Sequence, residues 1–240
     1  MKAILMSIKP RFVADILNGS KTIEVRKRFP LNYRGWVYIY VTKALPHLSK
    51  TYVSDYEVYD DTQWDKKWQD FNGEVVARFY CDNVEEITPF EEYESPFGMA
   101  YKLKENKIVC CQKAQLTYDE YNHYLKGKKG YAIHITKLEI FNKPKELSEF
   151  YPYFIDYKKA SKYLKEMGVD VVPFKHGQVD INNLSDGISN ILECEVEDSV
   201  GPLNSSYISR EWLEKETKKY LEDFKLTKAP QSWQFIEVGD

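Results

Sequence analysis

The spacing of apolar and polar positions changes several times along the chain, and each change marks an element. Residues 3–7 are a short apolar run and predict a strand. Pro10 suits the first turn of a helix, and Phe12, Val13, Ile16 and Leu17 then recur at helical spacing. Asn18-Gly19 ends that helix, because glycine enters the left-handed region without a Cβ clash. From there the period is two. Thr22, Glu24, Arg26 and Arg28 alternate with Ile23, Val25 and Lys27, which predicts a strand over 22–28 with one polar and one apolar face, and Lys21 at its entry. Residues 36–42 (WVYIYVT) read as a buried strand that delivers Lys43 to its end.

Residues 46–71 have no apolar period. They carry Tyr52, Tyr56, Tyr59, Trp64 and Trp68 among acids and read as an irregular insertion with a short helix from Thr62. A strand is expected over 73–80, running on through 81–87, and then mixed structure over 88–111 broken by Pro89, Pro96 and Gly98. Thr117 and Glu120 make a capping box ahead of a helix ending near Leu125. A single strand is expected over 131–141. Helices are expected over 158–167 and 209–224, with a Gly/Pro/Asn-punctuated stretch at 168–189 and an acidic run at 193–198 between them. A last strand is expected over 230–238.

Charge alters this picture. The chain has a formal net charge of −3, yet residues 1–50 hold ten Lys/Arg against two acids, Asp15 and Glu24. That asymmetry points to an anionic partner for the N-terminal part. Residues 151–225 lean the other way, with ten basic and fourteen acidic side chains. The 240 residues suffice for one large or two modest domains, and 19 Tyr and 5 Trp can supply both core and stacking surfaces. No apolar run approaches the ~20 residues of a membrane span. The N-terminus lacks the features of a secretory signal, so no membrane role is expected. Cys81, Cys110, Cys111 and Cys194 contain no C-x-x-C and read as reduced thiols, hence a cytoplasmic protein. His47, His123, His134 and His176 are scattered without ligand spacing, so neither metal nor other cofactor is expected.

The opening SIKP…ILNGSKTIEVRKR, and within it the G-x-K-T-x-E-x-R run formed by Gly19, Lys21, Thr22, Glu24 and Arg26, resembles the start of the ASCH domain. This is a PUA-like β-barrel family linked to RNA. Residues 130–150 (GYAIHITKLEIFNKPKELSEF) and 228–238 (KAPQSWQFIEV) resemble larger phage- and bacteria-type members. The resemblance implies an α+β fold: a mostly-β PUA-like barrel with flanking helices, made of 1–150 plus 226–240. Residues 151–225 would be a mixed helical insertion able to contact a protein partner. It also implies a cleft for RNA or a modified nucleoside or nucleotide, lined by Lys9, Lys21, Thr22, Glu24, Arg26, Arg28 and Lys43, with Gln231, Ser232 and Trp233 returning beside it. Some small ASCH proteins are acetylcytidine amidohydrolases with a Lys–Thr–Glu constellation. This chain keeps the lysine as Lys21, has Glu24 at the threonine's place, and has Lys113, Ala114 and Gln115 where an acid would stand. As an enzyme it would use Lys21 and Glu24. A ribonuclease-type set could be assembled from Lys21, Tyr38 and Ser232.

The residues themselves allow both binding and proton transfer. Arginine forks suit phosphate, lysine and glutamate can exchange protons when close, and glutamine can read a base edge. Alternation alone predicts only a solvated polar face on which Glu24 pairs with Lys21 or Arg26.

Overall fold

The computed structural model describes residues 1–43, 73–96, 98–166, 178–200 and 210–238. The aromatic insertion expected at 46–71 lies outside these. The chain is α+β and divides into two compact units, one of residues 4–146 and 229–233, the other of 1–3, 147–228 and 234–240.

β1 (Lys2–Ile8), which belongs to the first unit from Ile4 on, is followed there by α1 (Pro10–Leu17), β2 (Ile23–Arg26) and β3 (Gly35–Val41). β1 runs parallel to β3, with Ile4 opposite Val37 and Ile8 opposite Val41. A parallel strand is covered on both faces, and residues 3–8 are accordingly all buried. α1 buries Val13, Ile16 and Leu17 and begins at Pro10 as expected. Gly19, at φ +81°, makes the turn out of it.

β4 (Val75–Cys81) lies antiparallel to β3, and β9 (Thr136–Lys145) antiparallel to β4. Val37, Ile39, Ala77 and Phe79 fill one side of this sheet at zero exposure. A second sheet has the order β2–β8–β5, with β5 spanning Val84–Ile87 and β8 spanning Gly130–His134. Its apolar side packs Ile23, Val25 and Ala132 against α2 (Glu105–Ala114) and α3 (Tyr118–Leu125), through Cys110, Cys111, Ala114, Tyr121 and Leu125. A hairpin of β6 (Glu91–Ser95) and β7 (Gly98–Lys102) precedes α2.

Several expectations need correction. The strand expected over 22–28 is only Ile23–Arg26, and all four of its residues are buried. Its polar side is covered by protein and not by water, while Thr22 and Arg28 fall outside it and are exposed. The run at 131–141 is two strands. Ile135 leaves the β2–β8–β5 sheet by donating to the Thr22 carbonyl (3.0 Å), and Thr136 enters the other sheet opposite Tyr80. Residues 81–87 break in the same way between β4 and β5. The stretch 88–111 holds the β6–β7 hairpin and, from Glu105, a helix, α2, which its pattern hid because its exposed residues outnumber its buried ones. The strands also do not close. Among the described residues β2, β5 and β9 each have a neighbour on one side only, whereas a barrel needs two for every strand.

The second unit holds β10 (Tyr151–Pro152) paired with β13 (Trp233–Glu237), and β11 (Phe154–Asp156) paired with β12 (Gln178–Asp180). Its helices are α4 (Tyr157–Glu166), α5 (Ile181–Val200) and α6 (Arg210–Leu221). Ile155, Leu164, Val179, Leu184, Ile188, Leu221 and Phe224 form its core. α5 takes in both the end of the punctuated stretch and the acidic run, so the turn residues there mark a helix start and not a loop. No described helix is long and apolar enough to cross a membrane.

Gly130, at the start of β8, is closely hemmed in. A Cβ there would stand 2.5 Å from Leu125 Cδ2 and 3.0 Å from the Arg26 carbonyl oxygen. Gly130→Ala is expected to destabilise the protein by about 1–3 kcal/mol through overpacking, read from the denaturant midpoint at unchanged m-value.

Candidate functional site

The turn after α1 carries Lys21 to the end of α2. A helix leaves its last carbonyls unbonded and its C-terminus partly negative. Here the Thr22 N–H donates to the Lys113 carbonyl (2.9 Å), and Lys21 Nζ donates to that of Ala114 (2.6 Å). Gln115, at φ 54°, closes the helix in the left-handed conformation. The Lys21 ammonium also lies 5.0 Å from the centre of the Phe12 ring.

Period-two alternation then turns Glu24 and Arg26 to one side of β2, and the turn before the strand brings Lys21 to them. Glu24 Oε2 is 3.2 Å from Lys21 Nζ, and Oε1 is 3.0 Å from Arg26 Nη2. These three residues are only 2%, 6% and 8% exposed, so they form a buried triad of two cations and one carboxylate. Arg26 Nη2 also donates to the Ser7 carbonyl (2.7 Å), and Nη1 lies 3.5 Å from Ser232 Oγ. Arg26 Nε is buried and finds no partner of hydrogen-bond geometry among the described residues. The Tyr124 phenol also interacts with this guanidinium: burial pushes its pKa up, and the Arg26 charge and a side-chain hydrogen bond with Arg26 oppose that shift.

The tail is tied to the same corner. Ser7 donates from Oγ to the Pro230 carbonyl (2.6 Å) and from its backbone N–H to that of Ser232 (2.9 Å). The Trp233 indole donates to the Arg28 carbonyl (2.6 Å), and its ring meets Phe29 edge-on at 5.5 Å.

Of the residues picked out in the sequence, Lys21, Glu24, Arg26 and Ser232 therefore come together, with Trp233 alongside. Lys9, Thr22, Arg28, Lys43 and Gln231 are exposed, and no hydrogen bond or ion pair joins their side chains to the triad among the described residues. Lys9 nonetheless follows Ser7 by two residues. The Thr42 N–H donates to the Ile8 carbonyl (2.9 Å), which holds Lys43 next to the end of β1. Tyr38 belongs elsewhere: its hydroxyl accepts from Arg78 Nη1 (3.1 Å), and Arg78 Nε is paired with Glu139 at 2.7 Å. Ser7, Tyr124 and the Ala114 carbonyl were missed. Ser7 was legible as the lone polar residue of an apolar run, whereas nothing in the sequence marked the other two.

Among the described residues no three His, Cys, Asp or Glu side chains gather as metal ligands. Burial pushes the thiols of Cys81 and Cys110 up to about 11 and that of Cys111 up to about 12.

No protein-family model matches the chain, and no curated protein matches it. Solved structures of one ASCH protein are among those similar to it. ASCH from Zymomonas mobilis is 14% identical over 78% of this chain and 94% of its own, with a TM-score of 0.39. Two mutant forms of the same protein are 15% identical, with TM-scores of 0.38 and 0.37. They cover 79% and 78% of this chain, and 98% and 95% of their own.

Two outcomes test the geometry. Glu24→Gln leaves two buried cations without their counter-charge and should cost about 3–5 kcal/mol in unfolding free energy; a loss below 1 kcal/mol would mean the triad is solvated. In native protein at pH 8, peptide-resolved alkylation of Cys81, Cys110 and Cys111 should run at least roughly a hundredfold slower than in denaturant, because little thiolate forms at those pKa values.

Proposed function

We propose that the chain binds a phosphate-bearing nucleic-acid ligand, RNA or a nucleotide, at the Arg26 corner of the triad. The observation that carries this reading is the buried cation excess: two positive groups share one carboxylate, and Arg26 keeps an unpartnered Nε. Burying such an excess is unfavourable unless an anion offsets it. A guanidinium, with its planar fork of donors, suits a phosphate oxygen better than an ammonium does. The Ser232 hydroxyl beside Nη1 adds a second donor. Lys9, Arg28 and Lys43, exposed on the segments that meet here, supply the sequence-independent attraction typical of phosphate backbones. Trp233 and Gln231 offer a stacking face and a base-edge reader, as in recognition of single-stranded RNA.

One distance favours a second reading, a hydrolase of the same ligand class. Lys21 Nζ and Glu24 Oε2 are 3.2 Å apart, close enough to share a proton. Against it, Lys21 is already engaged at the end of α2.

Arg26→Lys keeps the charge and removes the fork. It should weaken binding of a short RNA or a nucleoside monophosphate about tenfold or more, measured by fluorescence anisotropy and calorimetry. Arg28→Ala should leave folding intact and reduce the slope of log affinity against log salt by about one. Binding unchanged in both variants rejects the site. Release of acetate from N4-acetylcytidine by the wild type would shift the assignment to the hydrolase.

A further inference from the structure

Outside this site, the second unit assembles three aromatic rings around a single ammonium. Lys2 Nζ lies 4.0 Å from the centre of the Phe235 ring and 4.6 Å from those of Tyr153 and Phe154. The rings stand as walls. Tyr153 and Phe154 are at 87° with centres 4.8 Å apart, and Phe154 and Phe235 at 84° with centres 6.1 Å apart. The backbone fixes them there: the Tyr153 N–H donates to the Phe235 carbonyl (3.0 Å), and the Tyr153 carbonyl accepts from the Ile181 N–H (3.0 Å). Phe154 is held opposite Asp180 in the β11–β12 ladder.

Carboxylates border the cluster without neutralising its occupant. Asp180 bonds the Tyr153 hydroxyl, which raises the phenol's pKa, and Glu237 acts on it in the same direction. Asp180 also accepts from the Asn182 N–H (2.9 Å). Among the described residues Lys2 makes no ion pair, so its ammonium is held by ring faces alone, on a side chain that remains exposed. A surface lysine ordinarily stays hydrated. Three converging π faces favour a cation that gives up its water readily, and methylated ammonium groups do so far more easily than –NH3⁺.

We propose that Tyr153, Phe154 and Phe235 form a cage for an alkylammonium group, methylated ones preferred, and that Lys2 is its resident internal occupant, displaced when such a ligand binds. Because Lys2 is tethered, it competes at an effective concentration in the millimolar range. Lys2→Ala should therefore bind choline about tenfold more tightly than the wild type, followed by aromatic proton–carbon NMR.

The neutral carbon isostere of choline should not bind. Phe235→Leu in the Lys2→Ala background should abolish the choline shifts while the amide spectrum stays folded. A trimethyllysine peptide that binds more tightly than choline assigns the ammonium to a protein side chain, and the reverse order assigns it to a small molecule. Equal choline affinity with and without Lys2, no binding in Lys2→Ala, or equal binding of the isostere overturns the proposal. The wild type gives a check that needs no binding variant. The Lys2 ε-methylene protons should be shifted upfield by ring currents, and coincidence with the other lysines rejects the occupancy.

Discussion

A single carboxylate, Glu24, holds two cations that the fold has removed from water. Its Oε2 faces Lys21 and its Oε1 faces Arg26, so neither ammonium nor guanidinium could stay buried without it. In low-dielectric surroundings such a pairing is strong only when the remaining donors are also satisfied. Most of them are, by the Ala114 and Ser7 carbonyls. The end of α2, the end of β1 and the returning tail are thereby tied to β2. The triad is thus a structural joint as well as a candidate binding site, and the two roles meet at Arg26.

The joint explains why β2 is short. Four residues suffice because each is fixed from both sides: Ile23 and Val25 by the apolar cluster under α2 and α3, Glu24 and Arg26 by ionic and carbonyl contacts. Extending the strand to Arg28 would bury a further cation with no carboxylate to meet it. Arg28 instead stays in solvent and offers only its carbonyl, to Trp233. The same limit separates the candidate site residues into two kinds. Arg26 is oriented by its contacts with Glu24 and the Ser7 carbonyl. Lys9, Arg28 and Lys43 are exposed, and in the proposed role they would contribute field and not geometry, and so affect salt dependence more than specificity.

The aromatic cluster around Lys2 handles a cation by a different means. At the triad positive charge is met by a carboxylate and carbonyl oxygens in a buried setting. At Tyr153, Phe154 and Phe235 it is met by ring faces at the surface. The first suits an anionic ligand drawn to excess positive charge, the second a cationic one drawn to π density.

Local rules in the sequence already determined α1 with its proline start and glycine exit, the capping box at Thr117, the apolar β1 and β3, and the common side shared by Glu24 and Arg26. Each depends on spacing or on one residue's backbone preference, which neighbours alone dictate. Tertiary structure decided whether that shared side met water or protein. Alternation gives a side chain's direction but not what lies opposite, and the Ser7 carbonyl, the end of α2 and Ser232 arrive from 19, 93 and 206 residues away. It also decided that residues 131–141 serve two sheets, because the exchange of partners at Ile135 depends on which strand each half can pair with, and a two-residue period is identical on both sides of the break.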